Sequence, residues 1–157
     1  MTRKGQEKAP ASEGKALADQ VTPTYLSSGD PALADYGPAW LSNLADDVTL
    51  EGSMMNGAVQ GADAVRSLLV YIRSLYDRQE FRFAGPYGEN GFLEDYTAWV
   101  QGEPIGNVVL ISRNADGETQ HIVGNYRPRS TLLLLSRLVG EHFAGTPYAE
   151  HFATDVR

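Results

Sequence analysis

The clearest periodic pattern of apolar positions runs from residue 62 to residue 76. Apolar side chains recur there at intervals of three and four residues: Val65, Leu68, Leu69, Ile72, Leu75 and Tyr76. Arginine and serine residues occupy the opposite side of the same segment. This spacing predicts an amphipathic helix over residues 62–76, whose apolar stripe must cover a sheet.

Four segments with strand character follow this helix and are separated by turn sequences. We predict strands at residues 80–84, 92–101, 106–113 and 120–127. Asn-Gly and Asp-Gly steps in turns favour tight hairpins, so these strands should form an antiparallel meander. A short strand is also predicted before the helix, at residues 48–51.

The remaining segments predict helices at both ends of the domain. Residues 27–47 have helical spacing interrupted at Pro38. After Pro128, a helix is predicted through four consecutive leucines, residues 132–135, and on to Val139. Four leucines in a row leave this helix no obvious solvent-facing side, so we expect it to be buried all round, within the domain or against another subunit.

Three short motifs add a resemblance to a known superfamily. They are Leu-Ala-Asp-Asp-Val-Thr-Leu-Glu-Gly at 44–52, Gly-Ala-Asp-Ala-Val-Arg at 61–66, and Tyr-Arg-Pro at 126–128. Together with the order of elements, they resemble the nuclear transport factor 2-like superfamily, which includes ketosteroid isomerase and the SnoaL-like polyketide cyclases. The resemblance implies an α+β cone, a cystatin-like roll: a curved antiparallel sheet wrapped around the amphipathic helix, here with an extra C-terminal helix. A helix-grip fold is the competing architecture, but it requires more strands before its long helix.

The length of the chain, 157 residues with 42% apolar content, suits one domain. We predict a disordered N-terminal tail at 1–15, a single domain at 16–145 that includes the C-terminal helix, and a loosely packed C-terminal tail at 146–157. No apolar run is long enough to span a bilayer and no signal peptide is evident. We therefore expect a cytoplasmic protein with no membrane partner.

The composition excludes several kinds of chemistry. The chain has no cysteine, which rules out thiol nucleophiles and iron–sulfur clusters. All three lysines fall within the first fifteen residues, so a Schiff base in the folded domain is excluded. Beyond that tail, nine arginines face eighteen acidic residues, and so negative a surface repels nucleic acid.

The sequence offers no metal or nucleotide motif. The histidines, His121, His142 and His151, are too scattered to form a metal-binding motif. The glycines at 85, 88 and 91 join two strands and do not open a helix, unlike a dinucleotide fingerprint. We expect no cofactor.

The cone resemblance implies a cavity between sheet and helix, and the hairpin turns suggest which strand residues face it. The predicted lining is Leu69, Ile72, Ala98, Val100, Val109, Ile111, Arg113, Ile122 and Gly124. Among these apolar groups, Glu94, Tyr96 and Tyr126 are the candidate catalytic residues, Glu94 for proton transfer and the tyrosines as donors to a ligand oxygen. The alternative is a solvated carboxylate at a strand end and tyrosines that belong to the core. A register slip of one residue would reverse these assignments.

The departures from ketosteroid isomerase bear directly on function. Its general base position matches Gly52 here, and its oxyanion-hole aspartate falls near Val109, which disfavours steroid isomerisation by that mechanism. Asp95 and Arg113 match part of the Asp-Arg-Asp set of limonene epoxide hydrolase. We therefore hold three hypotheses: a protein that binds a small hydrophobic ligand, a cofactor-independent acid/base enzyme, and an assembly module with a vestigial pocket.

The outer face of the predicted sheet is also apolar. The strand residues that alternate with the predicted cavity-facing ones point to this outer face, and they include Trp99, Val108, Leu110 and Val123. Burial of several such side chains is worth several kcal/mol at ~25 cal/mol per Å2. A homodimer through this face would bury them, and so would the C-terminal helix folding back over it.

Overall fold

The computed structural model describes residues 22–152, so the predicted tail at 1–15 and the final residues 153–157 lie outside the described part. The strands are β1 Leu44–Gly52, β2 Val59–Gln60, β3 Tyr76–Tyr87, β4 Gly91–Val100, β5 Glu103–Arg113 and β6 Thr119–Arg127. The two longer helices are α1 Ala62–Ser74 and α2 Arg129–His142. The strands form one curved, unclosed sheet in the order β2-β1-β6-β5-β4-β3, which confirms the predicted α+β class.

The sheet is antiparallel except at one point. The meander β3 to β6 and the β1–β2 pair are antiparallel, whereas β1 pairs with β6 in parallel. Helix α1 buries Ala64, Val65, Leu68 and Ile72 against the inner face of this sheet. The apolar stripe read from the sequence is therefore the surface that holds sheet and helix together.

Helix α1 is shorter than predicted and β3 is longer. The helix ends at Ser74 and Tyr76 already begins β3, which runs to Tyr87 instead of covering only residues 80–84. The pairing of β3 with β4 shifts twice, between Tyr76 and Arg78 and between Phe81 and Phe83. Such bulges break the alternation of inward and outward residues and bend the strand, which hid its full length from the sequence pattern.

The predicted helices at residues 27–47 are wrong. This region forms two single 3-10 turns, at Pro31–Leu33 and Ala39–Ser42, and a third precedes it at Thr24–Leu26. Its last residues, from Leu44 on, already belong to β1. Prolines and glycines recur here every few residues, so no continuous ladder of helical hydrogen bonds can build up. The spacing of Tyr36 and Trp40 reflects their packing, not a helix.

Within this chain, the leucine-rich helix is not buried all round. Leu135 in α2 is fully buried, but Leu133 is 47% exposed. Successive helical residues are ~100° apart, so four in a row sweep most of the circumference and one must face solvent when the helix packs on one side. Within residues 22–152, no helix is long and apolar enough to cross a membrane.

Helix α2 packs on the inner side of the sheet, next to α1. The Thr131 hydroxyl donates to the Pro104 carbonyl, and the Ser136 hydroxyl donates to the Met54 carbonyl, both at 2.9 Å. Its buried Leu135 and Val139 belong to the main core. The helix therefore does not cover the outer face, where four side chains remain partly exposed outside this core: Trp99, Val108, Leu110 and Val123.

The segment after α2 is more tightly packed than expected. Residues Ala149–Phe152 form a 3-10 turn, and Phe152 is only 2% exposed. The backbone amide of Asn56 donates to the His151 carbonyl at 2.8 Å, which ties this turn to the loop after β1. The predicted tail from 146 onwards therefore contributes to the core up to residue 152.

Candidate functional site

A cavity of about 70 Å3 lies between the inner face of the sheet, helix α1 and the loop after β1. Its apolar wall includes Leu50, Met54, Leu69, Ile72, Phe81, Val109 and Ile122. Its polar lining residues include Glu51, Arg73, Tyr76, Gln79, Glu94, Tyr96, Asn107 and Tyr126. The more exposed lining residues, among them Leu41, Met55 and Arg73, mark the mouth.

Glu94 is the buried carboxylate of this cavity, whereas the other lining carboxylate, Glu51, is partly exposed and lies beside His121. Glu94 lies on β4 and is only 2% exposed. Its Oε1 accepts two hydrogen bonds of 2.6 Å, one from the Tyr36 hydroxyl and one from the Trp40 indole nitrogen. Among the described residues nothing donates to Oε2, and this atom is not sealed from the cavity. One oxygen is therefore held in place while the other is available to a ligand.

The environment of Glu94 favours its protonated form. Burial raises the pKa of Glu94, and the bonds from Tyr36 and Trp40 and the charge of Arg73 oppose this effect only in part. A carboxyl group whose pKa moves up towards neutrality is suited to exchange protons with a bound molecule. The geometry and the raised pKa of Glu94 thus both point to this carboxyl group.

Three tyrosines form a hydroxyl cluster on the same inner face. The Tyr76 hydroxyl lies 2.9 Å from the Tyr96 hydroxyl and 2.8 Å from the Tyr126 hydroxyl. The Asn107 side-chain amide donates to the Tyr96 hydroxyl at 2.8 Å. Asn107 is itself oriented, because its Oδ1 accepts a bond of 2.9 Å from the backbone amide of Asn125. Strands β3, β4, β5 and β6 all contribute to this tyrosine cluster.

The tyrosine cluster has one more proton than its two close hydroxyl contacts need. Its three hydroxyls carry one proton each, and the two contacts of 2.9 and 2.8 Å through Tyr76 use two of these protons. Burial raises the pKa of Tyr76, Tyr96 and Tyr126 above 10.0, so all three remain protonated near neutral pH. The cavity therefore contains a standing hydrogen-bond donor for an oxygen atom.

Gly52 also lines the cavity, and the backbone leaves no room for a side chain there. A Cβ atom on Gly52 would lie 2.1 Å from the carbonyl oxygen of Gly124, its partner in the parallel pair of β1 and β6. The position that matches the general base of ketosteroid isomerase is thus closed to a carboxylate. The inner carboxylate comes instead from Glu94.

The structure brings together most of the residues predicted for the site, but not all of them. Those that line the cavity are Glu94, Tyr96, Tyr126, Leu69, Ile72, Val109, Ile122 and Gly124. Ala98, Val100 and Ile111 are buried on the inner face but lie outside the cavity lining, in the core. Arg113 is exposed, with its guanidinium carbon 5.7 Å from the ring centre of Phe92.

Asp95 and Arg113, which match part of the epoxide hydrolase set, do not come together in the structure. Asp95 points to the outer face, where both of its oxygens accept bonds from Arg82, at 2.6 and 2.7 Å, and a nitrogen of Arg127 lies 3.6 Å away. It does not pair with Arg113. His121, also on the outer face, contacts Thr49 and lies 3.2 Å from Glu51.

Several site residues escaped the sequence analysis. Tyr36 and Trp40 lie in the segment 27–47, which the sequence predicts to be helical. Tyr76 lies at the end of the predicted helix 62–76. Asn107 carried a usable signal, because it is a polar residue within the otherwise apolar strand segment 105–111. Within residues 22–152, no cluster of histidine and acidic side chains could hold a metal ion.

Comparison with known proteins supports the fold. No family model matches the sequence. No curated protein matches it either. Among solved structures, the chain is similar to an uncharacterised bacterial protein with a cystatin-like fold from Silicibacter pomeroyi, at 20% identity and a TM-score of 0.63, covering 68% of this chain and 74% of that one.

Two further structures share the architecture. A steroid delta-isomerase from Pseudomonas aeruginosa is 18% identical with a TM-score of 0.61, covering 66% of this chain and 77% of that one. A de novo designed protein with a curved β-sheet is 16% identical with a TM-score of 0.50, covering 82% of this chain and 98% of that one. The chain thus shares the cystatin-like fold of these structures, one of them a steroid delta-isomerase, which confirms the fold that the resemblance in its sequence implied.

Proposed function

We propose that the cavity binds a small, largely apolar molecule through one carbonyl or hydroxyl oxygen. The observation that carries this proposal is the tyrosine cluster, which offers a spare proton within an apolar wall. Isolated polar donors in an apolar cavity are the usual arrangement of small-molecule sites. A buried donor left without a partner is unfavourable by ~1–3 kcal/mol, so a ligand oxygen that accepts this proton gains affinity.

The size of the cavity limits the ligand. Its volume of about 70 Å3 is about half that of an engineered cavity of ~150 Å3 that binds benzene. A larger ligand therefore needs side chains at the mouth to move. Met54 and Met55 line this region, and methionine is the apolar side chain that rearranges most easily.

A titration with matched small molecules tests this proposal. Cyclohexanone and methylenecyclohexane have nearly the same shape, but only the ketone has an oxygen. In NMR titrations, we expect the ketone to shift the resonances of cavity residues, and to do so less in Tyr76→Phe, with Tyr71→Phe as a matched control outside the cavity. If the hydrocarbon bound as well as the ketone, or neither bound at about 10 mM, the proposal would be wrong.

A second candidate function is proton transfer on the bound molecule. It is favoured by the free Oε2 of Glu94 in the same cavity as the tyrosine cluster. In this reaction, Oε2 removes a proton from the carbon next to the ligand carbonyl, and the C–H electron pair forms the enolate C=C bond. The carbonyl π electrons move to oxygen, which accepts a hydrogen bond from a tyrosine hydroxyl.

Isotope exchange tests this reaction without knowledge of the natural substrate. In deuterated water, the α-protons of bound cyclohexanone should exchange faster with the protein than with buffer alone. Glu94→Gln should abolish the acceleration while leaving ketone binding in place. Equal exchange with the two proteins would leave ligand binding as the function.

The outer face supports a proposal about assembly. Trp99, Val108, Leu110 and Val123 are partly exposed and are not covered by α2, so a homodimer through this face would bury them. Analytical ultracentrifugation at micromolar concentration should show a dimer that Leu110→Glu dissociates. A monomeric parent protein would contradict this assembly and, with it, the assembly-module hypothesis.

A further inference from the structure

The mouth of the cavity contains an arginine, Arg73, that pairs with no carboxylate within residues 22–152. Arg73 lies in the last turn of α1, one residue after the buried Ile72, and its side chain is exposed and lines the cavity. A cation near a helix C-terminus is favourable there. That preference explains a positive charge on this turn, but it does not explain why this charge lines the cavity.

Six of the other seven arginines of the described part have partners. Five of them lie within 4 Å of a carboxylate: Arg66, Arg78, Arg82, Arg127 and Arg137. Arg113 lies over the Phe92 ring. Within residues 22–152, only Arg73 and Arg129 have neither kind of contact, and Arg73 is the one arginine that lines the cavity.

The charge of Arg73 acts inside the cavity. It lowers the pKa of Glu94, opposing the larger effect of burial. The cavity thus combines three chemistries: the tyrosine cluster in the interior, an apolar wall, and a guanidinium at the mouth. A molecule that satisfies all three carries an oxygen at one end, a hydrocarbon middle and an anion at the other end.

We propose that the ligand is an amphipathic carboxylate whose carboxylate group binds Arg73 at the mouth. This inference rests on the proposed function, because the oxygen at the far end of the same molecule accepts a hydrogen bond from the tyrosine cluster. Guanidinium groups match carboxylates with two parallel charge-assisted hydrogen bonds, which gives orientation as well as affinity. Arg73 therefore selects acids over neutral molecules of the same shape.

Paired probes test this selection. The probes are straight-chain oxo acids of about five to nine carbons with the ketone next to the terminal methyl group, each compared with its methyl ester. Affinities come from NMR titration near pH 7. We expect the best acid to bind about fivefold more tightly than its ester, since exposed ion pairs contribute modestly, and this preference should fall as salt is added.

Two variants of α1 locate the effect. Arg73→Gln should reduce the acid-to-ester ratio to less than about twofold while leaving the affinity for the ester unchanged, which also shows that the cavity is intact. Arg73→Lys should keep part of the preference. Arg66→Gln is the matched control on the same helix, because Arg66 pairs with Asp63 and lies outside the cavity lining, and it should leave the ratio unchanged.

The outcomes separate this inference from the proposed function. If acid and ester bind equally to the parent protein, or if Arg73→Gln retains the preference, the carboxylate assignment is overturned while ligand binding stands. If neither probe binds, the proposed function fails, and this inference fails with it.

Discussion

Glu94 and Asp95 are consecutive residues on β4 with opposite surroundings. Glu94 faces the cavity, has no cation within hydrogen-bonding distance, and is held by the hydroxyl of Tyr36 and the indole of Trp40. Asp95 faces the outer side and is bound by Arg82 and Arg127. Since alternate residues of a strand point to opposite faces, one step along the chain separates a carboxylate available for chemistry from one that stabilises the fold.

The strongest disturbance of the inner face is a second carboxylate at Gly52. Gly52→Asp should destabilise the protein by at least about 3 kcal/mol or prevent folding, because its Cβ would collide with the Gly124 carbonyl and the sheet would have to open. Chemical denaturation measures the change. The matched control is Gly37→Asp, where a Cβ meets no atom within 4 Å. Parental stability of Gly52→Asp would contradict the close approach of β1 and β6.

The next prediction concerns the charge of Asp95 on the outer face. Asp95→Asn should lower the free energy of unfolding by about 1–2 kcal/mol, because it leaves the mostly buried Arg82 without its carboxylate. The comparison variant is Glu141→Gln, which breaks the exposed pair with Arg137 and should change stability by less than about 0.5 kcal/mol. Equal effects of the two variants would show that Asp95 is no more important than a surface charge.

Removal of the Glu94 charge should change the free energy of unfolding in the opposite direction to Asp95→Asn, and the size of this change should depend on pH. Because burial raises the pKa of Glu94, the folded protein keeps this proton at pH values where the unfolded chain has released it. The contribution of Glu94 to stability is therefore fully present below its ordinary pKa of 4.5 and is lost as the pH rises through the folded-state value.

Glu94→Gln tests this sign. Glutamine retains an oxygen that accepts from Tyr36 and Trp40, so the variant should gain stability relative to the parent as the pH rises from 4 towards 8. Denaturation at several pH values measures the difference. A difference that stays constant with pH would mean that burial does not raise the pKa of Glu94.

The smallest expected effect concerns the hairpin that fixes which residue of β4 faces inward. Gln101 and Gly102 form the two-residue loop between β4 and β5, and both have positive φ, 51° and 79°. Asparagine tolerates this conformation better than glutamine, so Gln101→Asn should stabilise the protein by about 0.5 kcal/mol. Thermal denaturation measures the gain, and a loss of stability would contradict the assignment of this turn.

The sequence predicted the parts of the fold that depend on regular repetition. The helical spacing of Val65, Leu68 and Ile72 predicted α1, and the turns between strands predicted the order of the meander. The resemblance to the cone fold and the Gln101-Gly102 hairpin together placed Glu94 and Tyr96 on the inner face. These features follow from local periodicity and turn chemistry, which a single sequence records.

The missed features depend on contacts between distant parts of the chain. Tyr36 and Trp40 reach Glu94 across more than fifty residues of sequence, and Tyr76 meets Tyr126 across fifty. The bulges in β3 and the close approach of Gly52 to Gly124 likewise arise only when strands pair. No local pattern encodes such contacts, so the surroundings of a correctly chosen residue such as Glu94 remained unknown until the fold was seen.

The parallel pairing of β1 with β6 has a consequence for how the cavity comes into being. The hairpins from β3 to β6 join neighbours in sequence, whereas Thr49 and His121, which contact each other across β1 and β6, are 72 residues apart. Closing so long a loop is slow compared with forming hairpins. The meander can therefore assemble first as an open sheet, and the binding site is completed only when the first strand docks against the last.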